Sequence, residues 1–173
     1  QKHLHGIKDL TVDDINKILE LSKFFKLNNK EKDKNYPILK GRTIINLFFE
    51  PSTRTLISFE IAAKRLGADV INMNIEGSSL RKGESLHDTA QTLGAMNPDL
   101  VVIRHVIDNS SKQIAEIVNC PVINAGEGIN EHPTQALLDA YTIINNKRSL
   151  ENITVAICGD LEHSRVARSN YYL

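Results

Sequence analysis

Thr43-Ile44-Ile45-Asn46-Leu47-Phe48-Phe49, followed at once by Glu50-Pro51-Ser52-Thr53-Arg54-Thr55, decides how this chain is read. The first seven residues are a short apolar run of strand type. After the polar turn, apolar residues recur at helical spacing from about Thr53 to Leu66, and Gly67 supplies a natural stop. The alternation continues downstream with strand 69–74, loop 75–84, helix 86–96, strand 100–104, helix 109–118 and strand 121–124. Upstream, Val12, Ile15, Ile18, Leu19, Leu21 and Phe25 fall near one face of a helix over 12–27, with Thr11 as its cap. The lysine-rich stretch from Asn28 to Asn35 reads as a solvated loop.

Near-continuous apolar strands between helices predict an α/β fold: a parallel sheet of about four strands with helices on both faces. No period of 20–50 residues repeats, which excludes a solenoid. After Pro133 a long helix is expected to about Asn146, then a fifth strand, Ile153-Thr154-Val155-Ala156-Ile157-Cys158, and a helix near Arg165. The expected organisation is one domain over 1–131, a connecting helix over 132–147, and the first strand and helix of a second α/β domain over 151–173. One strand and a stub of helix are too little for a core of their own, so further residues are expected downstream. The absence of an initiating Met likewise suggests a trimmed or partial chain.

Composition narrows the function classes. The 173 residues are 41% hydrophobic and 24% charged, as in a water-soluble globular protein. Lys+Arg and Asp+Glu are equal at 21 each, so no global field favours nucleic acid or a membrane surface. Any bound anion must be held by local groups. No apolar run is long enough for a membrane span, and the N-terminus does not read as a signal peptide. Cys120 and Cys158 both lie in apolar contexts and are expected as buried free thiols in a reducing cytoplasm. Without a matching histidine spacing they do not make a zinc site.

The turn after the first strand is the leading candidate for chemistry. In parallel α/β folds ligands bind outside the carboxyl ends of strands, and a helix start offers free N–H groups that favour phosphate. Ser52, Thr53 and Thr55 add hydroxyls, and Arg54 adds a planar fork suited to phosphate oxygens. The competing reading is an ordinary capping turn. Arg104 and His105 end the next apolar strand, where Arg104 is either a second phosphate clamp or a surface ion pair, and His105 makes a structural hydrogen bond. Pro133 fits the first position of a helix, putting His132 at its cap and Gln135 in its first turn. Together these two could grip a carbonyl oxygen and an amide. Ser79 and Lys82 in the loop 77–84 could reach a phosphate, and Arg165 after the fifth strand would suit a carboxylate.

Taken in order, Phe48-Phe49-Glu50-Pro51-Ser52-Thr53-Arg54-Thr55 with Ser58-Phe59-Glu60, Lys82-Gly83-Glu84-Ser85, Arg104-His105 and His132-Pro133-Thr134-Gln135 resemble the transcarbamoylase family. Thr134, with Asn124-Ala125-Gly126-Glu127-Gly128, looks like its aspartate branch, the aspartate carbamoyltransferases. The resemblance spans roughly residues 40–170. It implies transfer of the carbamoyl group from carbamoyl phosphate to L-aspartate, the committed step towards pyrimidines, with no metal and no organic cofactor. Residues 1–131 would be the carbamoyl phosphate-binding domain and 151–173 the start of the aspartate-binding domain.

The same resemblance implies that Ser52, Thr53, Arg54, Thr55 and Arg104 hold the phosphate. Thr55, Arg104 and His132 would contact the carbonyl oxygen, Gln135 would orient the carbamoyl amide, and Arg165 would bind an aspartate carboxylate. Ser79 and Lys82 would come from a neighbouring subunit of a homotrimer, with Lys82 also serving aspartate. Ser78 competes with Ser79 for this role, because the loop looks one residue short. Leu56 stands where the family often has arginine, on a side of the helix expected to face away from the phosphate. Whether regulatory chains join the trimers is left open by the sequence. The 173 residues alone are expected to bind carbamoyl phosphate weakly and turn over nothing.

Overall fold

A computed structural model describes residues 2–31, 33–74 and 85–173. Four strands, β1 (Thr43–Phe48), β2 (Asp69–Asn74), β3 (Leu100–His105) and β4 (Val122–Glu127), form one parallel sheet in the order β2-β1-β3-β4. The helices are α1 (Val12–Asn28), α2 (Thr53–Arg65), α3 (Leu86–Ala95), α4 (Ser110–Ala115), α5 (Pro133–Lys147) and α6 (Arg165–Tyr172). The order β2-β1-β3 means that the chain leaves β1 in one direction and returns to the other side of it. That reversal opens a crevice at the carboxyl ends of β1 and β3, where parallel folds bind ligands.

Alternation along β1 sends its side chains to two cores. Ile45 and Leu47 join Ala90, Leu93, Val101, Ile103, Ile114 and Val122 on one face, beneath α3 and α4. Ile44 and Phe48 join Ala63, Val102 and Ala125 on the other, beneath α2. A sheet apolar on both faces needs both layers of helices, as the uninterrupted apolar strands predicted. A third cluster of Ile7, Ala136 and Leu137, with Ile15, Ile18 and Tyr172 against it, joins α1, α5 and α6. At the start of α1, Thr11 forms the expected cap: its hydroxyl accepts from the Asp14 N–H, and the Asp14 side chain accepts from the Thr11 N–H.

Several expectations are corrected. The stretch 153–158 forms no strand; Val155 and Ile157 are exposed, and among the described residues none pairs with it. A strand exists only through a neighbour's hydrogen bonds, so β-branched composition alone does not make one. Cys158 is consequently exposed rather than buried, whereas Cys120 is buried as expected; both are free thiols. Strand β4 runs to Glu127 instead of ending near Asn124. There the Gly128 N–H donates to the His105 carbonyl and the Glu127 N–H to the Glu131 carbonyl, which carries the pairing past Asn124. Helix α4 is correspondingly short, ending at Ala115. The loop expected over 75–84, with its ligand candidates Ser78, Ser79 and Lys82, lies outside the described residues.

Candidate functional site

The start of α2 lies in the crevice, directly after β1. Phe49 N–H donates to the Arg104 carbonyl, which holds the ends of β1 and β3 together. Ser52 occupies the cap position but makes no capping bond; its hydroxyl donates instead to Thr55 Oγ1 at 2.9 Å. The amides of the first turn are thus left free of the cap, at the positive end of the helix dipole. Ser52 and Thr55 are half-buried, while Thr53 and Arg54 are exposed at the rim.

Arg104 follows at the end of β3 with a side chain only 12% exposed, not at the surface. Its Nη1 donates to the Ala125 carbonyl at 3.1 Å, and its Nη2 pairs with Glu50 Oε1 at 2.6 Å. Its Nε is buried with no acceptor among the described residues. A buried donor left unmet costs free energy, which an incoming oxygen would relieve. Arg165, the first residue of α6, donates through Nη1 to the Gly128 carbonyl at 3.2 Å and through Nη2 to the same Glu50 oxygen. Two guanidinium groups therefore share one carboxylate. Burial and the nearby Arg165 charge pull Arg104 below the usual guanidinium range, and Glu50 opposes that.

His132 completes the cluster from the start of α5. It sits at the cap position expected for it, without capping through its ring. Its backbone N–H donates to Ser169 Oγ at 2.8 Å, and that hydroxyl donates to the buried Glu131 carboxylate at 3.0 Å. Burial first, then the charges of Arg104 and Arg165, push the His132 imidazole down to about 4, so it is neutral at pH 7. Between the three side chains lies Gly126, with φ +110. A Cβ there would stand 2.9 Å from Arg104 Nη1, 3.1 Å from His132 Cδ2 and 3.3 Å from Arg165 Nε. Only glycine permits this close approach.

The structure thus brings together Arg104, His132 and Arg165 beside the start of α2. Gln135 lies one turn along α5, its amide donating to Asp139 at 2.9 Å. His105 plays the structural part expected of it: it is buried, tilted over Phe49 at 4.3 Å, and accepts from the Ile107 N–H through Nδ1. Leu56 packs against the α2-side core and so turns away from the crevice. Glu50 is the residue that sequence reasoning missed. Its place directly after β1, the same topological position as Arg104 after β3, was the available signal. Nothing in the local sequence says that two distant arginines converge on it.

The family model described as "Aspartate/ornithine carbamoyltransferase, carbamoyl-P binding domain" matches residues 2–145. The chain belongs to the aspartate/ornithine carbamoyltransferase family. It is 60% identical to the aspartate carbamoyltransferase catalytic subunit of Pelagibacter ubique over all 173 residues, which make up 55% of that relative. Its fold matches aspartate transcarbamoylase from Trypanosoma cruzi, solved with carbamoyl phosphate and aspartate, at TM-score 0.92 and 36% identity. That match covers 99% of this chain and 53% of the other. Ornithine carbamoyltransferase from Pyrococcus furiosus matches at TM-score 0.88 and 34% identity, over 99% and 53% of the two chains. The chain therefore spans about half the length of the carbamoyltransferases it matches. Within that half lies the crevice with its two arginines and neutral imidazole.

Proposed function

We propose that this chain supplies the carbamoyl phosphate side of an aspartate carbamoyltransferase, which makes N-carbamoyl-L-aspartate and phosphate in de novo pyrimidine biosynthesis. The observation that carries the reading is the convergence of Arg104, His132 and Arg165 around Gly126, beside the uncapped start of α2. In this reading Ser52, Thr53, Arg54 and Thr55 hold the phosphate together with the free α2 amides and Arg104. Arg104, Thr55 and a neutral His132 donate to the carbonyl oxygen as negative charge gathers on it. An imidazole that titrates near 4 carries one N–H at neutral pH, so it can donate without adding a third positive charge.

Gln135 orients the carbamoyl amide, and Arg165 takes an aspartate carboxylate. Because Glu50 pairs with both arginines and offsets one of their two charges, an anionic substrate must compete with it or rearrange it. The amine of aspartate attacks the carbonyl carbon and the C–O bond to phosphate breaks, with the departing phosphate as a proton acceptor. Catalysis is then orientation and electrostatics, with no covalent enzyme intermediate.

The assembly belongs to the same proposal. Ser79 and Lys82 would reach a neighbour's crevice in a homotrimer, with Lys82 also contacting aspartate. Exposed Ile57 and Ile61 on α2 and Ile71 on the edge strand β2 fit a covered face there. Residues 1–131 would form the carbamoyl phosphate-binding domain, 132–147 the connecting helix, and 151–173 the start of the aspartate-binding domain. Free thiols fit a cytoplasmic setting. Among the described residues, no helix is long and apolar enough to cross a membrane.

The test is an assay of the full-length protein with carbamoyl phosphate and a panel of amino acids. An aspartate-specific signal that disappears in Arg54→Ala is expected, and an ornithine signal would overturn the assignment. The 173-residue chain alone should bind carbamoyl phosphate weakly without turnover. Carbamoyl aspartate formed by that chain would refute this last point.

A further inference from the structure

Asn124-Ala125-Gly126-Glu127-Gly128 marks the aspartate branch in the sequence, yet its first residue takes no part in the chemistry above. The side chain of Asn124 is fully buried within β4. Its Oδ1 accepts from the Gly126 N–H at 2.7 Å. Its Nδ2 donates to the Glu131 carbonyl at 3.2 Å and to the His5 carbonyl at 2.8 Å. One amide therefore meets three backbone groups, with both its N–H bonds and its oxygen in use.

Two of those groups belong to the site. Gly126 is the residue against which Arg104, His132 and Arg165 all rest, and its backbone is held at φ +110. Glu131 precedes His132 and carries the carboxylate that receives the Ser169 hydroxyl, itself the acceptor for the His132 N–H. The third group ties in the N-terminal segment. Leu4 pairs with β4 through bonds to Val122 and Asn124, and Ile7 N–H donates to Glu131 at 2.7 Å.

We infer that Asn124 is a positioning residue for the anion site: its amide fixes Gly126 relative to Glu131, and thereby sets the spacing of Arg104, His132 and Arg165. It also makes the segment from Leu4 to Ile7 a strap on which that spacing depends. The inference rests on the carbamoyl phosphate reading, because the site it serves is the one assigned there. Leucine keeps the branching of asparagine at Cγ, though it is bulkier, and offers none of its three bonds. An Asn124→Leu chain leaves the Gly126 N–H and the Glu131 carbonyl without this partner, and the turn between them relaxes.

The experiment uses the whole 173-residue chain. Inorganic phosphate is titrated by NMR into wild type, Asn124→Leu and Val118→Ala, the last a core change on the α3–α4 face of the sheet. The His132 imidazole is titrated in each chain without ligand. Asn124→Leu should bind phosphate at least about tenfold more weakly than wild type. Its His132 should titrate well above about 4, towards the ordinary histidine range, as its burial first and then the nearby Arg104 charge are relieved. Val118→Ala should change neither. If Asn124→Leu does not fold, Asn124→Ser takes its place, keeping an oxygen near Gly126 but too short to span to Glu131 and His5. Wild-type phosphate affinity and an unmoved His132 in the folded variant would overturn the inference. So would equal effects in Val118→Ala. A wild-type chain that binds neither phosphate nor carbamoyl phosphate would instead defeat the functional reading, and the His132 titration would still decide the role of Asn124.

Discussion

Glu50 holds two guanidinium groups that an anion would otherwise take, and its removal should separate affinity from stability. In Glu50→Gln the like charges of Arg104 and Arg165 lose their shared counter-charge. Inorganic phosphate should then bind severalfold more tightly, because the unbalanced positive potential favours an anion. The urea midpoint should fall at the same time, since two partly buried cations face each other without relief. Weaker phosphate binding in this variant would show that Glu50 helps build the site instead of guarding it. The residue was legible only as a polar position after a strand. Its partners lie 54 and 115 positions further along the chain, and no local pattern links them.

At the scale of elements, β1 is the central piece, paired on both sides and buried on both faces. Leu47 is fully buried between strands and helices. Leu47→Ala should cost about 3 kcal/mol, read from the denaturant midpoint, because the cavity cannot collapse against two fixed neighbours. The segment 153–158 gives the opposite prediction. Its amides should exchange with solvent far faster than those of Ile44–Phe48 or Val101–Ile103 in the same chain, measured by hydrogen exchange. Protection there equal to that of β1 would contradict the exposed, unpaired backbone described above. Both segments read as strands from composition. They differ in whether another strand lies alongside.

Across the whole molecule, the histidines set the response to acid. His132, His3, His5 and His105 are all lowered from the ordinary value of 6.5, each chiefly by burial. The unfolded chain takes up these protons near pH 6.5, whereas native His132 resists until about 4. Between those values the unfolded state binds more protons, so stability falls as pH falls and levels off for His132 below about 4. His132 alone should account for roughly 3 kcal/mol of that loss. Urea midpoints at pH 7 and pH 4.5 should differ clearly in wild type and less in His132→Gln. An equal slope in the two chains would mean that His132 is not buried beside the arginines.

The sequence by itself determined the class of fold and the order of strands and helices as far as α5, and it offered the candidate residues. Those follow from periodicity and from what each residue type can do at a strand end, which are local properties. Only the tertiary structure decided that Arg104 and Arg165 share Glu50, that His132 is neutral, and that Asn124 ties the N-terminal strap to the site. It also decided that Ile153–Cys158 is not a strand and that Cys158 is exposed. Each of these depends on which distant groups come within a few ångströms, and hydrogen bonding, desolvation and charge act at that range through space, whatever the separation along the chain.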